Sequence, residues 1–116
     1  MCWISNELTK KVANCDIIVY KIVISNTSNV MSLFRGFKYH FNKIYKESFT
    51  IRSNDSMYII TKGFHSYRTK SQALYANQFY CKKIVKCILP KGTIYYVNDS
   101  NETVSNQIRI IDYENI

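Results

Sequence analysis

Lys21 sits inside Asp16–Ile24 (DIIVYKIVI), the most apolar run of the chain. Burying an ammonium without a partner is costly, so such a lysine pairs, reaches a strand end, or lines a polar cleft. Lys86 stands in a similar setting, between Val85 and Cys87. Two lysines on interior-looking strands favour an anion between them; on a less buried sheet each would face solvent instead. A third group, Gly63-Phe64-His65-Ser66-Tyr67 with Arg68 after it, lies between a predicted strand and a predicted helix. A loop entering a helix N-terminus offers backbone N–H groups and the positive end of the dipole. His65, Ser66, Tyr67 and Arg68 there suit a phosphate or a sugar, although His65 and Tyr67 also suit a local turn. The candidate ligand-binding residues are therefore Lys21, His65, Ser66, Tyr67, Arg68 and Lys86, and no catalytic set is assigned.

The 116 residues carry a formal net charge of +8 and are 47% hydrophobic. That length fits one domain, 1–116, and the apolar content excludes a disordered chain. No apolar run approaches the ~20 residues that cross a bilayer as a helix, so no membrane partner is expected. Ile, Asn, Lys and Tyr are favoured, as in a gene from an A/T-rich genome, which raises Lys by mutational bias alone. The position of the charge is more informative. Ser56 to Asn98 contains no Asp or Glu, yet holds Lys62, Arg68, Lys70, Lys82, Lys83, Lys86 and Lys91. Tyr58, Phe64, Tyr67, Tyr75, Phe79, Tyr80, Tyr95 and Tyr96 are interleaved with them. Cations and rings together suit a phosphate-bearing partner, a nucleotide or a nucleic acid; a solvated basic face is the plain alternative. Nucleic acid ranks second, because no helix-turn-helix, zinc-finger or aromatic RNA-binding signature is present.

Cys2, Cys15, Cys81 and Cys87 form no C-x-x-C pair, and His40 and His65 are far apart, so no metal or other cofactor is expected. Met1 to Ala13 has no signal-peptide core, which makes a reducing cytoplasm with free thiols the default. Loss of Met1 would leave an N-terminal Cys2 nucleophile with its own α-amine as base. Cys2 as a small buried hydrophobe is the competing reading.

These residues need elements to hold them. Leu8, Val12 and Cys15 at i, i+4, i+7 predict a short helix over 6–15. Residues 16–24 predict a strand buried on both faces, 37–45 one or two short strands, and 57–61 a strand ending at Gly63. Turns are expected at Asn26–Asn29 and Asn54–Ser56. Arg68–Tyr80 predicts a helix capped by Thr69 or Ser71, with Ala73, Ala76 and Tyr80 as its stripe. Strands follow at 82–89, 93–97 and from Val104 through Asn106 and Ile108 to Ile110, separated by Pro90–Gly92 and Asn98–Asn101. The fold class is α+β, a mainly antiparallel sheet with about two short helices.

Two stretches, KGFHSYRTKSQALYANQF (62–79) and IVKCILPKGTIYYV (84–97), resemble the second half of an ADP-ribosyltransferase domain. In that family a "GF-x-S-T-S" segment precedes a helix, and a strand with the catalytic glutamate leads into "LLP-x-G-T-x-F-x-V". The resemblance implies an ADP-ribosyltransferase-like fold and a nucleotide-handling cleft. Its Glu-x-Glu falls near Ile84 and Lys86, and its first-strand arginine near Lys21. Without a carboxylate to stabilise an oxocarbenium-like centre, the implication is binding rather than transfer. The whole chain is also similar to small proteins of gut Bacteroidales and their phages, through Met1-Cys2-Trp3, Gly63–Tyr67, Cys87–Tyr96 and Ser105–Ile108. That likeness implies a phage or mobile-element origin and no activity. The expected function is a non-catalytic protein that holds a nucleotide or another anion, or meets a host protein. Behind it stand a basic nucleic-acid-binding protein, a working enzyme with a displaced acid or a Cys2 nucleophile, and a virion or cargo component acting through protein contacts.

Overall fold

The structure is a computed structural model that describes residues 3–25, 30–32, 38–80 and 82–113. Cys2, Cys81, Phe37 and the turn expected at 26–29 lie outside the described residues. In chain order the elements are β1 (Trp3–Ser5), β2 (Lys11–Val12), β3 (Ile17–Ser25), β4 (Val30–Ser32), β5 (Lys38–Tyr39), β6 (Ile44–Lys46), β7 (Thr50–Asn54), β8 (Met57–Lys62), β9 (Phe64–Tyr67), α1 (Lys70–Tyr80), β10 (Lys83–Leu89), β11 (Ile94–Val97), β12 (Glu102–Ser105) and β13 (Gln107–Tyr113). The architecture is α+β and mainly antiparallel sheet, as expected, with one helix among the described residues rather than two.

The larger sheet runs β2-β11-β12-β9-β3-β10-β13-β6, with β4 and then β5 added at the far end of β3. Within it, β12 and β13 are separated by three strands, but along the chain only Asn106 divides them. In a flat sheet they would stand about 19 Å apart at the usual strand spacing. Two peptide links reach no further than about 7 Å. The sheet must therefore roll until its two flanks meet at Asn106. There Asn106 N–H donates to Ile94 O at 3.0 Å, and Glu47 N–H donates to Asn106 O at 3.0 Å.

The roll encloses the main core: Val19 and Val23 of β3, Val85, Cys87 and Leu89 of β10, and Phe64, Ile108 and Ile110 from the flanks. Successive strand residues point to opposite faces. Tyr20 and Ile22 accordingly face outward, where they pack with Ile84, Tyr67 and Ala73 under α1. The middle of β3 is thus covered on both sides, which is why its β-branched run needs no polar alternation there, while Ile18 near its start stays 40% exposed. α1 starts where Thr69 Oγ1 accepts the N–H of Gln72 at 3.2 Å. Ala73 is its fully buried contact.

A second sheet, β1-β8-β7, packs on the outer face of β11 and β12. Trp3, Ile60, Tyr96 and Val104 form its core, and Trp3 Nε1 donates to Glu102 O at 2.8 Å. Gly63 lets these layers meet. A Cβ there would lie 2.7 Å from Val104 Cγ2 and 3.0 Å from Phe49, and its φ of +123° disfavours any side chain.

Three expectations are corrected. Residues 6–15 form no helix: Lys11 and Val12 instead pair with Tyr95 and Ile94 as β2, because the i, i+4, i+7 spacing covered little more than two turns. Gly63–Tyr67 is not a loop, since Phe64–Tyr67 is β9, inserted between β3 and β12. The run from Val104 to Ile110 is not one flat strand. It bends at Asn106, so that Val104 belongs to the Trp3 core while Ile108 and Ile110 belong to the interior of the roll. The turns behave as their chemistry demands: Asp55 (φ 53°) joins β7 to β8, and Asn98 Oδ1 accepts the N–H groups of Ser100 and Glu102 at 3.0 Å each.

Candidate functional site

Lys21 is on the inner face of β3, between Val19 and Val23, and only 6% of its surface is exposed. Its Nζ donates to His65 O at 2.7 Å and lies 5.8 Å from the centre of the Tyr39 ring. Tyr20 pairs with Tyr67, so the next positions of that antiparallel pair bring Lys21 beside Ser66 on the inner face. Ser66 in turn pairs with Thr103 of β12. A polar row, Lys21–Ser66–Thr103, therefore crosses three neighbouring strands inside a largely apolar roll. Ser66 Oγ and Thr103 Oγ1 are both buried and have no hydrogen-bond partner. The hydroxyl of Ser105, one step along β12 on the same face, is satisfied by Gln107 O at 3.0 Å. A few convergent polar groups on an apolar wall are what a small-molecule site requires.

Cys87 borders the same interior, and burial pushes its thiol up to about 12, against the opposing pull of the Lys21 charge. The thiol is protonated at neutral pH and offers no nucleophile there. The interior can donate hydrogen bonds and positive charge, and it has no described base with which to activate Cys87.

The remaining candidates lie on the other side of the sheet. Lys86 pairs with Tyr20 and with Asp112, and Tyr67 pairs with Tyr20, giving an outer row Tyr67–Tyr20–Lys86–Asp112 at the start of α1. His65 faces outward too, opposite Val104, while its carbonyl oxygen accepts from Lys21. Arg68 follows the strand, and its N–H donates to Asn101 O at 3.4 Å. The structure thus brings Lys21 together with Ser66, and Tyr67 together with Lys86. It does not bring the two lysines to one cleft: a one-residue offset in β10 puts Val85, not Lys86, opposite Lys21. Ile84, the other position where the resembled transferases carry a glutamate, is packed under α1.

Sequence reasoning missed Thr103 and Tyr39. Thr103 follows a turn and has no distinguishing neighbour, so only strand pairing reveals it. Tyr39 lay in a loosely alternating stretch with no register of its own.

A hollow of about 530 Å³ at the corner of the roll is lined by Lys46, Glu47, Ser48, Phe49, Asn106 and Gln107, none of them a candidate above. Among the described residues no group of three or more His, Cys, Asp or Glu is placed to hold a metal. None of the described helices is long and apolar enough to cross a membrane. Comparison with protein-family models, with curated proteins and with solved structures finds no match to this chain.

Proposed function

We propose that this chain is a small non-catalytic binding protein, of phage or mobile-element origin, that holds a nucleotide or another small anion at the Lys21–Ser66–Thr103 row. The observation that carries this reading is the pair of buried hydroxyls without partners beside a buried ammonium. Burying a hydroxyl without a hydrogen bond costs about 1–3 kcal/mol, and two such groups in one row call for a shared partner. Lys21 supplies charge, the hydroxyls supply directed hydrogen bonds, and the Tyr39 ring supplies an apolar edge. A phosphate or carboxylate matches that set. The resemblance of 62–79 and 84–97 to ADP-ribosyltransferases supports a nucleotide, on a remotely related ADP-ribosyltransferase-like fold whose catalytic carboxylates are replaced by Ile84 and Lys86.

Titration calorimetry against NAD, ADP-ribose, cyclic nucleotides and inorganic phosphate tests the reading. A saturable heat with one of them, lost in Lys21→Met and reduced in Ser66→Ala, is the expected result. A folded protein that gives no heat with any of the panel removes the nucleotide and phosphate reading together.

A further inference from the structure

We infer that the open face of the larger sheet around Arg109 docks an extended acidic segment of a partner protein. Strand register sets one row across four strands of that face, with Ile44 opposite Arg109, Arg109 opposite Ile88, and Ile88 opposite Ile18. Ile108 and Ile110 point into the roll, so Arg109 between them points outward, and the row with it. α1 covers Ile22 and Ile84, and the second sheet packs on β11 and β12, so neither takes up the ends of this row. Ile18 and Ile44, at those ends, are 40% and 45% exposed. Between them the Nε–H of Arg109 is shielded from water and has no hydrogen-bond partner among the described residues. Ile44 and Ile88 on either side offer it no acceptor.

A desolvated guanidinium donor calls for an anionic acceptor, and a carboxylate meets the guanidinium fork with two parallel bonds. The charge of the face agrees. Lys46 and Lys86 stand in the rows on either side, opposite Gln107 and Asp112, so three cations meet one carboxylate across these rows. A second copy of this chain would set those cations against their own kind. The Arg109 row has no ring on which a base would stack, which sets nucleic acid aside. The outside of a roll is convex, whereas a small molecule needs a concave site. An extended polypeptide fits the length of the row. Four strands at the usual spacing span about 14 Å, and side chains on one face of an extended chain recur about every 7 Å. A segment with apolar, acidic and apolar residues at alternate positions therefore sets its carboxylate over Arg109 and its apolar side chains over the two exposed isoleucines. This row is outside the roll, whereas the Lys21 row is inside, so the two readings fail independently.

Fluorescence anisotropy with a labelled peptide, Gly-Leu-Ser-Glu-Ser-Leu-Gly with capped ends, tests the inference. Saturable binding that weakens with salt is expected. Glutamine in place of the peptide's glutamate should weaken it about tenfold or more, and so should Arg109→Gln. Arg109→Lys keeps the charge without the fork and should fall between. The glutamine peptide should bind Arg109→Gln no more weakly than either change alone predicts, because both remove the same contact. Ile18→Ser and Ile44→Ser should each weaken binding about fivefold. Both positions are exposed, so these two variants carry the test even if Arg109→Gln does not fold. Tyr75→Ala, exposed on α1, should change nothing. Equal affinity for the glutamate and glutamine peptides would overturn the inference. So would full affinity in Arg109→Gln, or binding confined to oligothymidylate or to phosphatidylserine vesicles.

Discussion

Lys21 Nζ and the carbonyl oxygen of His65 meet at 2.7 Å although 44 positions separate them in the chain. The contact joins β3 to β9, whose ladder otherwise registers only through Tyr20 and Tyr67. A hydrogen bond from a charged donor contributes about 1.5–3 kcal/mol, and burial of the ammonium offsets part of it. Lys21→Met is therefore expected to lower stability by about 1 kcal/mol. Urea midpoints of the two proteins check this; an unchanged or raised midpoint would mean that the ammonium contributes nothing to holding β9.

Thr103→Val should act in the opposite direction. The methyl group keeps the shape of the side chain and removes a buried hydroxyl that has no partner. A gain of about 1 kcal/mol follows from the desolvation penalty removed. If the row binds an anion, calorimetry on the same variant should show weaker binding, a stability gain set against function. A loss of stability would show that the hydroxyl is satisfied in solution.

Cys87 should make the fold sensitive to alkali. Its thiol is raised by burial from 9.0 to about 12 in the folded chain, so it stays protonated after the unfolded chain's thiol ionises. Its contribution is fully present below about pH 9 and is lost as the pH climbs towards 12, at about 1.4 kcal/mol per unit. The stability gap between wild type and Cys87→Ala should therefore narrow from pH 8 to about pH 10.5. Parallel pH profiles in urea unfolding would contradict this. Peptide mapping after iodoacetamide treatment at neutral pH should find Cys87 unmodified while exposed Cys15 reacts.

Gly63→Ala and Gly92→Ala form a matched pair. Both positions have positive φ, +123° and +91°, but only at Gly63 would a Cβ meet other atoms, Val104 and Phe49. Gly92→Ala should cost about 1–2 kcal/mol of backbone strain. Gly63→Ala should cost about 3 kcal/mol or more, because overpacking adds to the strain. Thermal unfolding of the two variants distinguishes the terms, and equal losses would mean that the layer contact yields freely.

What could be read from the chain was local. Thr69 before an Ala-containing stripe marks α1, the β-branched run marks β3, and Asn98–Asn101 marks a turn, because each depends on near neighbours. β9 was hidden because Gly63, His65 and Ser66 read as loop chemistry. Its strand state comes from β3 and β12 on either side, tertiary context overriding propensity. The division of Lys21 from Lys86 is a matter of register, and one residue of offset reverses a side chain's face. Val104, Asn106, Ile108 and Ile110 alternate as one strand should, yet the bend at Asn106 sends them to two different cores.

That bend also bears on how the chain is made. Residues 102–113 supply the outer neighbour of β9 through β12 and that of β10 through β13. During synthesis from the N-terminus, β9-β3-β10 must wait with a bare edge on each side until this stretch emerges, and such edges invite pairing between nascent chains. A single late segment then closes both at once.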